Sequence, residues 1–243
     1  MSTERNDGLS NITAVILDYG KVIARSPTEQ EFGRMAEIFH VSFDSFFQLW
    51  ENSRDVYDRS DLTAQEYWLM LATQTNTSID SKQIEFLRRV EVEIWSHLDP
   101  EMLDWLSRLQ AAGIKTALLS NMPWDLVNHV RTNFKWMENF TFKTFSAEVK
   151  LVKPHPAIYQ HTLQGLGVSA AEALFVDDRE RNITAAQALG IHAIEFRSIA
   201  QLADELQKLK FPVLPALSNA ASSTASSTDS STKRPAQEHK FQL

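Results

Sequence analysis

The chain has 243 residues, of which 43% are hydrophobic and 23% are charged, and its formal net charge at pH 7 is −7. This length predicts a globular protein with a sizeable core, and the negative charge disfavours a nucleic-acid partner, which requires a basic surface. The lack of cysteine excludes disulfides, thiolate catalysis and cysteine metal sites. No apolar run approaches the ~20 residues of a membrane span, and Met1–Ser10 lacks the apolar core of a signal peptide. We therefore expect a cytoplasmic protein without a membrane partner.

The first predicted element is a strand from about Ile12 to Asp18. Ala14–Leu17 is a continuous apolar run that ends abruptly at the Asp18 carboxylate. Such a run is typical of a strand that is buried on both faces of a parallel sheet. Because ligand crevices in open α/β sheets lie outside the carboxyl ends of the strands, Asp18 is a candidate catalytic residue.

Four helices are predicted between Arg25 and Ser96, and no strand is predicted among them. Each helix begins with a capping signal or carries an aromatic stripe: Thr28-x-x-Glu31, Phe43 to Trp50, Thr63-x-x-Glu66 and Asp80. Four consecutive helices after a single strand predict an all-α insert, residues 26–95, stacked above the point where the chain leaves the sheet.

From Asp99 onward the pattern alternates between helices and strands. Strands are predicted over residues 114–119, 140–145, 173–176 and 191–196, with helices between them. This alternation predicts an α/β fold, a doubly wound, mostly parallel sheet in three layers, formed by residues 1–25 and 96–215. Ser, Thr and Ala dominate the start of the segment 216–243, so we expect that tail to be disordered.

Polar side chains follow three of the predicted strands: Asp18, Ser120-Asn121 and Asp177-Asp178. Lys153 stands before Pro154 at the entrance of a helix, and it is preferred to Lys150 for that reason. If the strands are neighbours, these groups converge on one crevice. Close carboxylates need a cation or a proton, and oxygen ligands favour Mg²⁺ shared with a substrate phosphate. A serine hydroxyl, backbone N–H groups and a lysine would hold phosphate oxygens, and an aspartate can attack phosphorus.

In this order and spacing, the four motifs resemble the haloacid dehalogenase superfamily, in particular its phosphatases with an α-helical cap. The resemblance covers roughly residues 12–196 and implies a Rossmann-like catalytic core with residues 26–95 as the cap. It also implies a role for each motif residue: Asp18 as nucleophile and Mg²⁺ ligand, Gly20 as a metal ligand through its backbone carbonyl, Ser120 and Asn121 as phosphate-binding residues, Lys153 as the cation that offsets charge on the nucleophile and phosphoryl group, Asp178 as a direct metal ligand and Asp177 one shell out.

One position departs from the pattern of the superfamily. Most of its phosphatases carry Asp-x-Asp, in which the second aspartate is general acid and base for the leaving group, whereas here that position is Gly20. Such acid–base help typically contributes 10²–10⁴-fold in rate. The chain is similar in this respect to the Asp-x-Gly subset that includes bacterial α-glucose-1-phosphate phosphatases. The hypothesis is therefore a Mg²⁺-dependent phosphomonoesterase for a small phosphorylated metabolite, with a sugar phosphate as candidate.

Two alternatives remain open from the sequence. A 2-haloacid dehalogenase uses a similar aspartate on carbon without a metal, although the pair Asp177-Asp178 suits a metal better. A phosphate-binding or interaction protein that turns over weakly would explain the missing acid–base aspartate, but the presence of Asp18, Lys153 and the acidic pair argues against it.

Overall fold

The computed structural model describes residues 9–217, so the tail that we expect to be disordered lies outside the described residues from residue 218 onward. Five strands are described: β1 (Ala14–Leu17), β2 (Lys115–Ser120), β3 (Phe142–Phe145), β4 (Ala173–Asp177) and β5 (His192–Glu195). They form one parallel sheet in the order β3-β2-β1-β4-β5. The predicted α/β class is confirmed, and the strand that ends at Asp18 is its central strand.

The two faces of β1 are buried under different sets of side chains. Val15 and Leu17 pack in one hydrophobic cluster, whereas Ala14 and Ile16 pack in another on the opposite face. All four residues are fully buried, because successive side chains of a strand point to opposite faces. Burial on both faces explains why the run has no polar residue before Asp18.

Six helices separate β1 from β2: α1 (Glu29–Ala36), α2 (Phe43–Asn52), α3 (Arg54–Asp58), α4 (Ala64–Gln74), α5 (Ser81–Ile94) and α6 (Pro100–Ala111). Five more follow β2: α7 (Trp124–Asn133), α8 (Ser146–Val149), α9 (Pro156–Leu166), α10 (Glu180–Ala188) and α11 (Ile199–Lys208). Buried residues of α6, α7 and α11 pack in the cluster that contains Leu17, and those of α9 and α10 pack in the cluster that contains Ile16. Helices therefore cover both faces of the sheet, which gives the predicted three layers.

The four helices predicted between Arg25 and Ser96 correspond to α1, α2, α4 and α5. Reciprocal capping boxes begin three of them, at Thr28, Thr63 and Asp80. The short helix α3 was missed. Its N-cap residue, Ser53, makes no side-chain capping bond and directly follows the last residue of α2, so a single residue separates the two helices and the sequence pattern reads as one.

Residues 29–94, which we call the helical segment, contact the sheet layer at the carboxyl ends of the strands. Ser146 Oγ, just after β3, donates to the Asp58 carbonyl oxygen over 2.6 Å. Lys150 Nζ donates to the Ser60 carbonyl oxygen over 2.6 Å. The helical segment thus lies over the edge of the sheet at which β1 ends.

Among the described residues, no helix combines the length and the apolar character that crossing a membrane requires.

Candidate active site

Asp18 is held at the end of the central strand. Its backbone N–H donates to the Val176 carbonyl oxygen over 3.0 Å, which extends the pairing with β4 by one residue. The carboxylate is buried, and its Oδ1 atom accepts a 2.7 Å hydrogen bond from the Tyr19 N–H. Nζ of Lys153 lies 2.7 Å from the same oxygen. Within residues 9–217, the hydrogen bonds of this carboxylate all go to Oδ1, which leaves Oδ2 available to a ligand.

Lys153 is the buried cation of the site, with 1% of its surface exposed. Its Nζ lies 2.7 Å from Asp18 Oδ1 and 2.7 Å from Asp177 Oδ2. Burial by itself lowers the pKa of Lys153, but the carboxylates of Asp177 and Asp18 outweigh burial and raise that pKa above its ordinary value. The ammonium therefore stays charged between the two carboxylates.

The side chain of Asn121 fixes the loop that carries Lys153. Its Oδ1 accepts from the Lys153 N–H over 2.8 Å, and its Nδ2 donates to the Lys153 carbonyl oxygen over 3.0 Å. Because Asn121 directly follows β2, these two bonds tie the lysine loop to the end of that strand. Because these two bonds occupy the Asn121 side chain, the group of this residue that we expect to contact a phosphate is its backbone N–H.

Three carboxylates converge beside Lys153. Asp18, Asp177 and Asp178 each place one carboxylate oxygen within 4.8 Å of the others. Burial raises the pKa of Asp18 to about 7; the Lys153 ammonium opposes that rise, and the charges of Asp177 and Asp178 add to it. Burial also raises the pKa of Asp178, although the Lys21 ammonium, 3.5 Å away, opposes it. The cluster therefore carries more negative charge than its lysines balance.

The two members of the acidic pair differ in their surroundings. Asp177 is fully buried, and besides Lys153 its oxygens accept hydrogen bonds from Asn182 Nδ2 over 2.9 and 3.0 Å and from the Arg179 N–H over 2.9 Å. Asp178 instead lines the open cleft. A ligand entering the cleft consequently meets Asp178, whereas Asp177 is enclosed by donors.

The donor set suits a hard divalent cation. Asp18 and Asp178 offer carboxylate oxygens to the cleft beside the enclosed Asp177, and the three carboxylates repel one another at this separation. Mg²⁺ prefers carboxylate and carbonyl oxygens. Gly20, which we expect to offer its backbone carbonyl, lines the same cleft. The residues present therefore fit the predicted Mg²⁺.

The cleft also contains the predicted phosphate-binding residues. Ser120, the last residue of β2, lines it together with Asn121 and Lys153. Lys150, the alternative lysine, does not line it and instead bonds the Ser60 carbonyl oxygen. All the predicted site residues thus come together at one sheet edge, with Asp177 just behind the cleft surface.

Sequence reasoning missed an ionic cluster in the roof of the cleft, formed by Arg54, Asp58 and Glu91. All three residues are buried. Arg54 Nη2 lies 2.5 Å from Asp58 Oδ1, and its Nη1 contacts Glu91 Oε1. Arg54 and Asp58 are four residues apart, which is the spacing of a helical ion pair, and that was the available signal. Glu91 lies in α5, 37 residues from Arg54 in the chain, so no local sequence pattern indicates that the two side chains pair.

Position 20, where the chain departs from Asp-x-Asp, lies against a tryptophan. A β-carbon on Gly20 would lie 3.3 Å from Cζ3 of Trp95, closer than ordinary van der Waals contact. The hydroxyl of Tyr19 donates to the Trp95 carbonyl oxygen over 2.7 Å. The Trp95 ring stacks on Trp50 with centroids 6.5 Å apart and planes at 19°. The indole therefore occupies the space that a longer side chain at position 20 would need.

A family model described as haloacid dehalogenase-like hydrolase matches residues 12–190. The chain belongs to this family. Two curated relatives of this haloacid dehalogenase-like hydrolase are a phosphoglycolate phosphatase of Yersinia pseudotuberculosis and a sesquiterpene phosphatase of Aspergillus oryzae. The first is 36% identical over 103 residues, 42% of this chain and 44% of the relative. The second is 30% identical over 112 residues, 46% of this chain and 57% of the relative. The chain spans about half the length of the curated relatives it matches.

Solved structures of haloacid dehalogenase-like proteins share the fold. A family enzyme from Bacteroides thetaiotaomicron, in complex with magnesium and inorganic phosphate, is 23% identical with a TM-score of 0.63, covering 76% of this chain and 94% of that chain. An L-2-haloacid dehalogenase from Xanthobacter autotrophicus, with chloropropionic acid covalently bound, is 19% identical with a TM-score of 0.59, covering 84% of this chain and 85% of that chain. These likenesses show the fold, and they do not by themselves choose between a phosphatase and a dehalogenase.

Proposed function

We propose that this hydrolase is a Mg²⁺-dependent phosphomonoesterase in which Asp18 is the nucleophile. The observation that carries the proposal is the convergence of Asp18, Asp177 and Asp178 within 4.8 Å beside the buried Lys153. Such an excess of carboxylate suits a metal ion and a substrate phosphate better than a halogenated carboxylic acid. The phosphatase relatives support the same choice.

Asp18, Asp178 and the backbone carbonyl of Gly20 would hold the Mg²⁺ ion. Asp177 acts one shell out, because Lys153, Asn182 and the Arg179 N–H already occupy its oxygens. When bound, Mg²⁺ supplies positive charge that offsets repulsion between Asp18 and the phosphate and stabilises charge on the phosphoryl oxygens.

The protein groups account for two successive displacements at phosphorus. A carboxylate oxygen of Asp18 attacks phosphorus, the bond to the ester oxygen breaks, and its electron pair leaves with that oxygen. Lys153, the Ser120 hydroxyl and the Asn121 N–H hold the phosphoryl oxygens during this transfer. Water then attacks phosphorus in the aspartyl-phosphate, which releases inorganic phosphate and restores the Asp18 carboxylate.

The substrate that we propose is a small phosphorylated metabolite, with sugar phosphates as the first candidates. Residues 26–95 act as the cap and residues 1–25 and 96–215 as the catalytic core in this proposal. The position of the helical segment over the cleft supports that division, because Trp50, Arg54, Asp55 and Asp58 of this segment line the cleft. Specificity then depends on the residues of the cap.

A phosphate-release assay tests the proposal. Sugar phosphates, nucleotides and small phospho-acids are assayed with Mg²⁺ and with EDTA, for the wild type, Asp18→Asn and Asp104→Asn. Asp104 is an exposed aspartate of α6 outside the cleft, so it is the matched control. We expect Mg²⁺-dependent turnover that only Asp18→Asn abolishes. Full activity of Asp18→Asn would contradict the nucleophile assignment.

The second candidate is a metal-independent 2-haloacid dehalogenase, which the fold shared with the Xanthobacter autotrophicus enzyme favours. Chloride release from 2-chloropropionate in EDTA measures it directly. Activity there without phosphatase activity would replace the first proposal. Tight Mg²⁺ and phosphate binding without turnover of any ester would instead identify a phosphate-binding protein.

A further inference from the structure

Two stacked tryptophans, Trp95 and Trp50, form what we call the aromatic wall of the cleft. Both line the cleft, and each leaves only a small part of its surface open, 8% and 4% respectively. Trp95 lies directly against Gly20, two residues after the proposed nucleophile. The surface of the cleft next to position 20 is therefore an indole ring rather than a polar side chain.

The aromatic wall is held rigidly from behind. Tyr19 donates its hydroxyl hydrogen to the Trp95 carbonyl oxygen over 2.7 Å. The guanidinium of Arg54 lies 4.6 Å from the centroid of the Trp50 ring, within the range of a cation–π contact. Trp50 Nε1 also donates to Glu91 Oε1 over 3.4 Å. These contacts fix both indole rings in place before any ligand binds.

Proton donors for a leaving group are scarce in the cleft. No histidine of the described chain lines it. Both carboxylate oxygens of Asp58 accept from Arg54, and the Tyr19 hydroxyl is occupied by Trp95. Arg179 and Arg181 also line the cleft, but a guanidinium does not give up its proton near neutral pH. Among the remaining lining residues, Asp55 and Lys21 carry side chains that are open to solvent and able to donate a proton, and Lys21 faces Asp178 at 3.5 Å. Neither is positioned by a hydrogen bond toward Gly20.

We infer that Trp95 determines the leaving group, and that the enzyme takes phosphate esters whose ester oxygen departs as a stabilised anion with a flat or apolar face toward the indole. This class comprises aryl, enol and anomeric phosphates. The inference rests on the proposed function and names its substrate class. In the step concerned, Asp18 forms a bond to phosphorus, the phosphorus–oxygen bond breaks, and the leaving oxygen keeps the electron pair and later takes its proton from water.

The first test uses the wild-type enzyme with Mg²⁺ and a series of substituted phenyl phosphates, from p-nitrophenyl to phenyl, plus glycerol phosphate as an alkyl ester. We expect kcat/KM to fall steeply as the pKa of the leaving group rises, since no general acid compensates for a poorer leaving group. The opposite result is a kcat/KM that depends only weakly on the pKa of the leaving group in the wild type and steeply in Asp55→Asn or Lys21→Met. That result would show that Asp55 of the cap or Lys21 supplies the acid, and it would overturn the inference.

The second test changes the wall. Trp95→Phe and Trp95→Ala should raise KM for the phenyl phosphates more than for glycerol phosphate, whereas the exposed Trp124→Leu, outside this cleft, should change neither. Gly20→Asp/Trp95→Ala makes room for a carboxylate, and it should recover part of the roughly 10²–10⁴-fold that a general acid contributes, for glycerol phosphate above all. Equal effects of Trp95→Phe on both ester classes would overturn the inference.

These outcomes are separable from failure of the proposed function. If no ester is hydrolysed by the wild type with Mg²⁺, the phosphomonoesterase proposal itself fails. If esters are hydrolysed and Asp18→Asn abolishes turnover, but rates do not depend on the leaving group, the function stands and the role of Trp95 is rejected.

Discussion

Arg179 and Glu51 form a two-point ion pair between the loop after Asp178 and the helix α2. Arg179 Nη1 lies 2.6 Å from Glu51 Oε1, and Arg179 Nη2 donates to Glu51 Oε2 over 3.0 Å. The two side chains are 29% and 32% exposed. The pair therefore ties the helical segment to the sheet layer immediately beside the acidic cluster.

Glu51→Gln should loosen the helical segment without unfolding the protein. A partly exposed pair of this kind contributes less than about 1 kcal/mol, so the free energy of unfolding should change little. Hydrogen exchange in α2 should accelerate, because local opening depends on the few contacts that hold a segment, and KM should rise. Glu148→Gln is the control, since it breaks the Arg131–Glu148 pair between α7 and α8. Equal exchange in α2 of wild type and Glu51→Gln would contradict the prediction.

The stability of the metal-free protein should fall as pH rises from about 4 to about 7. Burial raises the pKa of Asp18 from 3.8 to about 7, so the folded state retains a proton that the unfolded chain releases. The contribution of Asp18 to the stability of the folded protein is fully present below its unfolded-state pKa of 3.8 and is lost as pH rises toward its folded-state pKa of about 7. Urea unfolding in EDTA at a series of pH values measures this slope.

Asp18→Asn and Mg²⁺ should each change that slope. The amide removes the titration of Asp18, so the variant should lose less stability between about pH 4 and pH 7 than the wild type. Added Mg²⁺ should stabilise the wild type more at about pH 8 than at about pH 5, because the ion binds the ionised carboxylates. Parallel pH profiles for wild type and Asp18→Asn would show that Asp18 is not the group involved.

Arg54→Met should destabilise the protein by about 3–5 kcal/mol, because it leaves Asp58 and Glu91 buried without their cation. Burial raises the pKa of each of these carboxyls even though Arg54 opposes it. The loss should therefore be larger at high pH, where both must ionise. Urea unfolding measures the effect. The triple variant Arg54→Met/Asp58→Asn/Glu91→Gln should recover most of the loss, and failure to do so would indicate a packing defect instead.

Two glycines in helices should respond to alanine with opposite signs. At Gly33 of α1 a β-carbon would meet nothing within 4 Å, so Gly33→Ala should stabilise by roughly 0.5–1 kcal/mol through helix propensity. At Gly165 of α9 it would lie 2.3 Å from ring atoms of Phe142, so Gly165→Ala should destabilise by about 1–3 kcal/mol. Thermal unfolding of the two variants compares them directly, and the same sign for both would refute the packing argument.

The features that sequence predicted are those with local causes. The capping boxes at Thr28, Thr63 and Asp80 each involve residues three apart, and each begins a helix as expected. The Asp18 strand was recognisable because burial on both faces removes polar residues from it. Helix α11, which was not among the predicted elements, has an equally local cause, since Ser198 caps it by accepting from the Gln201 N–H.

The features that sequence missed depend on the placement of the helical segment over the sheet. Trp95 meets Gly20, and Glu91 meets Arg54, only because α5 returns to the cleft after α2, α3 and α4 have packed. An indole or a carboxylate in that stretch is indistinguishable from an ordinary core or surface residue in the linear pattern. Their roles required the three-dimensional arrangement.

The order of the strands determines when the three carboxylates of the cleft come together during synthesis. Leu17, next to the proposed nucleophile, pairs with Leu118 on one side and with Val176 on the other. Contacts between such distant segments form slowly, since long loops must close first. The ribosome has synthesised the whole helical segment before it adds Asp177 and Asp178. Until β4 has emerged and docked, Asp18 has neither Asp177 nor Asp178 beside it, so the three-carboxylate cluster is completed only by the last third of the described chain.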